Sequence, residues 1–307
     1  MRIVFAGTPA VAIPSLEAVA ARHEVVAVVT REDAPLGRKR VLAPSPVADA
    51  AERLGLPVIK ANRLREEVTD RIRDLAPDLG VVVAYGGLVR EPLLSLPRLG
   101  WVNLHFSLLP RWRGAAPVQH AIIAGDTETG AAVFHLVPEL DAGDVYAELH
   151  RPIGPDETAG ELLDALAVDG AALLADTADA LAAGTARAVP QQGEPRPAPK
   201  LTLDDARLDL TEPAHRVYAR LRGVTPEPGA FALFGGERFK VLAARRTDGE
   251  PPLAPGVVEA RDRRILVGTG TDPLELVTVQ PAGKRAMAAA DWMRGAAQSA
   301  DEGLVLS

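Results

Sequence analysis

The first two hundred residues alternate short β-branched segments with segments of helical periodicity. Helical segments begin near residues 14, 46 and 64, and Ser45 and Pro46 fit the N-cap and the first position of the second. The strand-like segments are MRIVFAG (1–7), EVVAVVT (24–30), PVI (57–59), LGVVVAYG (79–86) and GWVNLHF (100–106). This alternation is the pattern of βαβ units, whose helices cover both faces of a parallel sheet. It predicts an α/β domain.

The pattern changes after residue 130. AAVFHLVPEL (131–140) and DVYAELHRPI (144–153) predict an antiparallel pair added to the sheet, and an Ala- and Leu-rich helix at about 159–183 completes the domain. A proline-rich segment, VPQQGEPRPAPK (189–200), then has the composition of an extended linker. Beyond it, short strand-like segments separated by Gly, Pro or Asp turns predict a small β-barrel or sandwich. We therefore expect a first domain at 1–190, a linker at 191–206 and a second domain at 207–307.

Composition narrows the class of protein. A chain of 307 residues with 47% apolar and 24% charged side chains has enough apolar material for two globular domains. The sequence contains no cysteine, which excludes disulfides, thiolate metal sites and a cysteine nucleophile. No stretch of about 18 uncharged apolar residues is present, so we expect a cytoplasmic protein. The net charge of −7 argues against nucleic-acid binding unless basic residues cluster locally.

A dinucleotide site at the first strand is not supported. A glycine motif beginning at Gly7 would need glycines where the sequence has Pro9 and Ala12, and proline also removes an N–H that could bind pyrophosphate. The alternative is a turn that only begins the first helix, although a ligand could still lie across it. No Walker, HExxH or His/Asp cluster pattern is present, so we expect neither a P-loop nor a metal site.

Asn103 and His105 interrupt an otherwise apolar strand. Residues two apart on a strand share a face, and ligands of α/β sheets bind at the carboxyl ends of the strands. A carboxamide and an imidazolium that converge there could stabilise an oxyanion. The alternative is a histidine bonded to a carbonyl and an asparagine that caps a turn. The sequence leaves both interpretations open.

Asp141 begins the turn sequence Asp-Ala-Gly-Asp. An aspartate in such a turn often only caps it. The functional interpretation is that Asp141 returns beside His105, raises the pKa of the imidazole and relays a proton through water. Sequence spacing does not decide between these two interpretations.

Residues 31–44 form an unusually long connection for an α/β unit and contain three adjacent cations, Arg38, Lys39 and Arg40. Most charged runs are simply solvated. The length of the loop favours a functional segment, and the cations could contact phosphates.

The segment NLHFSLLPRWRGAAPVQ, which begins at Asn103, resembles the signature of the folate-dependent formyltransferases. MRIVFAGTPAVA, VVVAYGGLVREPLLSLPRLG and LDAGDV resemble other segments of that family. VQPAGKRAMAAADWM resembles the C-terminal domain of the branch that acts on methionyl-tRNA. Glycinamide ribonucleotide formyltransferases end near the linker, so the extra hundred residues favour the tRNA branch.

This resemblance implies a Rossmann-like N-terminal domain followed by a small C-terminal OB-like β-barrel. The implied reaction transfers the formyl group of 10-formyltetrahydrofolate to the α-amino group of methionyl initiator tRNA, in translation initiation and without a metal. Asn103 and His105 would polarise the formyl group and hold the oxyanion, and Asp141 would keep His105 protonated. We also expect a monomer that does not bind membranes.

The resemblance further implies two groups of binding residues. Those expected at the folate site are Ala84, Tyr85, Gly86, Leu88, Ser107, Leu108, Leu109, Pro110, Leu140 and Gly143. Those expected to bind tRNA are Arg38, Lys39, Arg40, Lys200, Lys284 and Arg285. Two alternatives remain open. A sugar-nucleotide formyltransferase or a formyltetrahydrofolate hydrolase would keep Asn103, His105 and Asp141 but would not need the basic loop or the tail. An RNA-binding protein without enzymatic activity could lose these three residues.

Overall fold

The computed structural model describes residues 1–36, 40–247, 249–296 and 304–307. Its strands are β1 Arg2–Gly7, β2 Glu24–Thr30, β3 Ala34–Leu36, β4 Val41–Ala43, β5 Val58–Lys60, β6 Leu79–Val83, β7 Trp101–His105, β8 Glu128–His135, β9 Val145–Pro152, β10 Phe231–Phe234, β11 Glu237–Arg246, β12 Val258–Arg261, β13 Arg264–Val267, β14 Leu274–Gln280 and β15 Met287–Ala288. Its α-helices are α1 Ile13–Ala20, α2 Pro46–Arg53, α3 Glu66–Asp74, α4 Pro117–Ile123, α5 Ala159–Ala182, α6 Ala214–Gly223 and α7 Ala289–Ala296.

The chain divides into two compact units. The first contains Met1–Pro117, Glu128–Pro152 and Leu163–Pro199. The second contains Lys200–Ser307 together with Val118–Thr127 and Ile153–Leu162. Two segments from the first two hundred residues therefore pack with the chain that follows Lys200.

A seven-stranded sheet in the order β5-β2-β1-β6-β7-β8-β9 forms the centre of the first unit. The strands from β5 to β7 are parallel, and β8 and β9 are antiparallel additions at one edge. Residues on both faces of the central strands, such as Val4 and Phe5, are fully buried. The predicted parallel sheet with an antiparallel pair is confirmed.

Local sequence signals account for the start of α2. Ser45 is its N-cap and accepts a hydrogen bond from the Ala48 N–H, while Pro46 occupies the first helical position. The Ser45 hydroxyl also lies 2.6 Å from the hydroxyl of Thr30, the last residue of β2. The predicted N-cap is confirmed, and it fixes the end of the connection that begins after β2.

That connection contains two short strands. Strands β3 and β4 form a two-stranded antiparallel hairpin, where the sequence analysis predicted only a long loop. Val41 and Leu42 in β4 are exposed, so the hairpin has little apolar burial, and its three-residue strands give too short a pattern to recognise.

Strand register brings three carboxyl ends to one edge of the sheet. Gly7 of β1 pairs with Val83 of β6, and Val82 of β6 pairs with Asn103 of β7. The residues that follow β6 therefore lie level with His105, the last residue of β7. This edge is where the candidate site forms.

The second unit is an antiparallel sheet in the order β10-β11-β14-β13-β12, with β15 paired to β14. The sheet is curled into a half-barrel. Residues 304–307 bond to both of its edges, since Leu233 and Ser307 exchange two backbone hydrogen bonds and the Val258 N–H donates to the Leu304 carbonyl. The predicted small β-domain is confirmed, whereas α6 and α7 were not predicted.

Among the described residues, no helix is long and apolar enough to cross a membrane. The same residues contain no group of three or more His, Asp or Glu side chains suited to holding a metal ion.

Candidate active site

His105 ends β7 in a buried position, with its side chain 6% exposed. Its ring meets Phe134 of β8 edge-on, with the ring centroids 6.3 Å apart. Phe134 packs with Leu109, Ala132 and Val145 in a small apolar cluster. The cluster that contains Leu109 therefore supports the imidazole ring.

The turn after β7 fixes one nitrogen of that imidazole. The Ser107 hydroxyl donates to the Arg111 carbonyl at 2.7 Å, and Trp112 adopts a left-handed backbone with φ of 62°. This geometry places the Trp112 carbonyl 2.9 Å from Nε2 of His105. A carbonyl can only accept, so Nε2 carries the hydrogen and Nδ1 is the nitrogen that gains or loses a proton.

Asp141 returns to the same place from the turn between β8 and β9. Its Oδ2 lies 3.9 Å from Nδ1 of His105 and accepts a 2.8 Å hydrogen bond from the Gly114 N–H. Gly114 has φ of 125°, and a Cβ there would lie 2.6 Å from the Ala198 carbonyl oxygen. Glycine is therefore required at the position that donates to Asp141.

The electrostatics of His105 differ from the expectation. Burial lowers the pKa of His105 below its ordinary value of 6.5, and this effect outweighs the Asp141 carboxylate and the Trp112 carbonyl, which both raise it. The sequence analysis expected Asp141 to keep the imidazole protonated. Asp141 does raise the pKa of the imidazole, but the opposing effect of burial is larger, so the net shift is downward.

Asn103 shares the face of β7 with His105 and pairs across the sheet with Phe134. Its Oδ1 is buried and has no hydrogen-bond partner among the residues that the structure describes. An unpaired buried amide oxygen costs about 1–3 kcal/mol. A ligand with an N–H donor at this position would remove that cost.

Hydrogen bonds to backbone carbonyls hold the segment after β6 in place. Ala84 and Gly86 both have positive φ, and the carbonyls of Tyr85 and Gly86 accept hydrogen bonds from Thr8 Oγ1 at 3.2 Å and Arg31 Nη2 at 2.9 Å. The Tyr85 phenol is buried and donates to the Ala61 carbonyl at 2.7 Å. Only the backbone of Tyr85 is left to meet a ligand.

Two exposed leucines belong to the segments expected to receive folate. Leu88 is 62% exposed and Leu140 is 61% exposed, although both are large apolar residues. Strand register places the segment after β6 level with His105, and Asp141 connects the 140–143 turn to the same imidazole. Gly143 is required in that turn, because a Cβ would lie 1.7 Å from the His135 carbonyl oxygen.

The rest of the expected folate wall is well packed. Ser107, Leu109 and Pro110 are buried and Leu108 is half-buried. Leu108 lies against Gly130 of β8, where a Cβ would approach its side chain to 2.6 Å. The structure therefore leaves little of these residues on an open surface.

Sequence analysis missed Arg113 and Gln191. The Arg113 backbone pairs with the proline-rich segment, donating to the Arg196 carbonyl at 2.8 Å and accepting from the Ala198 N–H at 2.7 Å. The Gln191 amide bonds to both Arg113 and the Asp141 turn. The proline content of this segment indicated a spacer, and no sequence pattern links Gln191 to a turn 50 residues earlier in the chain.

The residues expected to bind tRNA belong to both units of the chain. Arg38 and Lys39 lie outside the described residues. Arg40 is exposed in the first unit, with φ of 49°. In the second unit Lys200 is exposed, and Lys284 and Arg285 are exposed in the turn between β14 and β15.

Comparisons with known proteins connect this geometry to a family. Residues 1–177 match the family model "Formyl transferase" and residues 200–297 match "Formyl transferase, C-terminal domain". A methionyl-tRNA formyltransferase from Leifsonia xyli subsp. xyli is 75% identical over 296 residues, which cover 96% of this chain and 98% of the relative. The chain belongs to the methionyl-tRNA formyltransferase family. The family predicted from the Asn103 to Gln119 signature is confirmed, and with it the class of enzyme.

A further relative has the same family name, and solved structures share the fold. A methionyl-tRNA formyltransferase from Clavibacter sepedonicus is 60% identical over 96% of this chain and 97% of its own length. Among solved structures, the sugar 3N-formyl transferase WlaRD has a TM-score of 0.69 at 13% identity, covering 93% of this chain and 99% of that chain. A methionyl-tRNA formyltransferase from Clostridium thermocellum has a TM-score of 0.59 at 16% identity, covering 81% and 95%. At these identities the structural matches establish a shared fold alone.

Proposed function

We propose that this protein transfers the formyl group of 10-formyltetrahydrofolate to the α-amino group of methionyl initiator tRNA, as a monomer in the cytoplasm. The observation that carries the proposal is the convergence of Asn103, His105 and Asp141 at one edge of the sheet. It occurs in a chain related to methionyl-tRNA formyltransferases over 96% of its length.

His105 would act as the proton acceptor. When the α-amino nitrogen attacks the formyl carbon, it must lose a proton, and a neutral imidazole accepts one directly. The Trp112 carbonyl occupies the Nε2–H, so the proton would enter at Nδ1. The Asp141 carboxylate, 3.9 Å away, would then stabilise the imidazolium.

Asn103 would stabilise the negative charge that develops on the formyl oxygen. Its side-chain N–H groups would donate to the oxyanion that develops as the amine attacks. Its buried Oδ1, which lacks a partner in the described part of the chain, would accept an N–H from the attacking amine. One amide would thus contact both reacting groups.

The donor, 10-formyltetrahydrofolate, supplies a formyl group bound to a folate nitrogen. As the tetrahedral intermediate collapses, that carbon–nitrogen bond would break and the folate nitrogen would leave with the proton held by the imidazolium, which returns His105 to its neutral form. The segments Ala84–Leu88 and Leu140–Gly143 would hold the donor's pterin through backbone groups, since the Tyr85 side chain is buried. The exposed Leu88 and Leu140 side chains would cover its apolar surface and exclude water. Residues Ser107–Pro110 would form the floor.

Basic residues would position tRNA through its phosphates. We propose this role for Arg38, Lys39 and Arg40 in the first unit and for Lys200, Lys284 and Arg285 in the second. Each lost phosphate contact should flatten the salt dependence of tRNA binding, because fewer counterions are released. Lys284→Ala should therefore raise KM for tRNA without changing the KM for folate.

The decisive experiment supplies 10-formyltetrahydrofolate with three acceptors in parallel: charged initiator tRNA, free methionine and an amino sugar nucleotide. We expect formylmethionyl-tRNA as the product, with turnover on the other two acceptors lower by orders of magnitude. Preferred formylation of the amino sugar would instead assign a sugar-nucleotide formyltransferase. Release of formate at the same rate with and without an acceptor would assign a hydrolase.

A further inference from the structure

We infer that Gln191, in the proline-rich segment before the second unit, is a positioning residue that sets the place of Asp141 beside His105. The inference rests on the proposed function. It assigns a catalytic consequence to a segment whose composition indicated only a spacer.

Gln191 holds the Asp141 turn through the backbone. Its Nε2 donates to the carbonyls of Asp141 and Gly143, each at 2.8 Å. Asp141 has φ of 47°, a left-handed conformation that residues other than glycine adopt less readily. Such a conformation persists when surrounding groups restrain it, and two bonds from one amide supply that restraint.

Arg113 fixes the orientation of this amide. Its Nε and Nη2 donate to Oε1 of Gln191, at 3.2 Å and 2.6 Å. The opposite orientation would set the amide N–H groups against the guanidinium and leave its oxygen against two carbonyls. The hydrogen bonds therefore assign both amide donors to the Asp141 turn.

The backbone next to Arg113 also holds the Asp141 carboxylate. Arg113 precedes Gly114, whose N–H donates to Oδ2 of Asp141, the oxygen that faces His105. Asp141 is thus held at its carbonyl by Gln191 and at its carboxylate by the residue next to Arg113. A shift in this support changes the 3.9 Å separation between Oδ2 and Nδ1, on which the stabilisation of the imidazolium depends.

The segment is anchored on both sides of Gln191. Val189 and Val145 exchange two backbone hydrogen bonds of 2.9 Å, and Arg196 and Ala198 bond to the Arg113 backbone. Gln191 is half-buried, whereas its neighbour Gln192 is exposed. Gln192 therefore provides a matched control for substitutions of Gln191.

Two variants separate the bonds that Gln191 makes. Gln191→Glu keeps the side-chain length and the acceptor for Arg113 but removes both donors to the turn. Gln191→Met keeps the length and removes every polar contact. Gln192→Glu makes the same charge change one residue away on an exposed side chain.

We expect Gln191→Glu and Gln191→Met each to lower kcat by about 10- to 100-fold, the range for misplacing a supported catalytic group. KM for folate and for charged tRNA should stay within about twofold of wild type, because binding common to ground and transition states is kept. Gln192→Glu should behave as wild type. In Gln191→Met, the pKa of His105 followed by NMR should fall, because the carboxylate that raises it is less well held.

Wild-type kcat in Gln191→Glu, or an unshifted His105 titration in Gln191→Met, would overturn the inference. If the Gln191 variants do not fold, Arg113→Lys tests it instead, since one ammonium nitrogen cannot replace the two guanidinium nitrogens that donate to Oε1, and unchanged kcat would again contradict it. If wild-type protein does not formylate charged tRNA, the proposed function fails, while the His105 titration still decides the role of Gln191.

Discussion

The Nε2–H of His105 donates a 2.9 Å hydrogen bond to the backbone carbonyl of Trp112. This bond selects one neutral tautomer, so every proton exchanged by the ring passes through Nδ1, on the side of Asp141. The buried position of the ring lowers its pKa, which favours the neutral form that the proposed proton acceptor requires.

Replacing His105 should abolish most turnover. His105→Gln should reduce kcat by at least about a hundredfold. It removes the proton acceptor, and with it the positive charge that the imidazole gains near the oxyanion when it accepts the proton. The dissociation constant for 5-formyltetrahydrofolate, measured by fluorescence or calorimetry, should change little. His150→Gln is the control, since His150 lies exposed on β9. Full activity in His105→Gln would refute its assignment.

The pH dependence of kcat/KM should reflect the lowered pKa of His105. The attacking α-amino group must be unprotonated and ionises near about 7.7–8.0, so kcat/KM should first fall there as pH is lowered, and protonation of His105 should add a second decline below the ordinary histidine value of 6.5. Asp141→Asn removes a charge that raises the pKa of His105. The second decline of the variant should therefore move to lower pH while its maximal rate falls. A second decline that moves to higher pH would contradict the geometry.

Stability should also fall on acidification. Burial lowers the pKa of both His23 and His105, so the unfolded chain binds protons more readily than the folded one. The free energy of unfolding should be fully retained above pH 6.5 and decrease as pH falls from 6.5 toward the lower folded-state values. Urea midpoints measured across this range should drop less in His23→Gln. Equal pH dependence in the variant and wild type would exclude His23.

Arg31 should support folate binding indirectly. Its Nη2 donates to the Gly86 carbonyl, in the segment proposed to meet the pterin. Arg31→Ala should weaken folate binding about fivefold, the loss of one hydrogen bond of about 1 kcal/mol. Arg71→Ala, an exposed arginine of α3, provides the control for a lost positive charge. Unchanged folate affinity in Arg31→Ala would show that this hydrogen bond does not shape the site.

The Tyr218 phenol should ionise at a higher pH than an ordinary tyrosine. It is buried in the second unit and donates to Asp156 at 2.9 Å, and both effects raise its pKa to about 12. Because unfolded tyrosine ionises near 10, stability should be lost as pH rises from about 10 to 12. Absorbance at 295 nm should show a transition near pH 12 that is missing in Tyr218→Phe. A wild-type titration that ends near pH 10 would contradict this burial.

The sequence predicted those features that depend on neighbouring residues. The common face of Asn103 and His105 follows from strand period, and the Ser45 cap follows from its own side chain. The return of Asp141 to His105 depends on how β8 and β9 add to the sheet, so periodicity left it open. Gln191 could not be found, because its amide acts on backbone groups 50 residues earlier in the chain. Helices α6 and α7 are short segments in a part of the chain dominated by strand-like patterns.

The 50-residue separation between Gln191 and the turn it holds has a consequence during synthesis. At about 5–20 residues per second, the ribosome makes Gln191 roughly 3–10 s after Asp141. During that interval, the central strands and His105 can assemble while the left-handed Asp141 backbone still lacks its two amide donors. The nascent first unit would therefore acquire its sheet before its competent catalytic geometry, and activity would appear only after the proline-rich segment has left the exit tunnel.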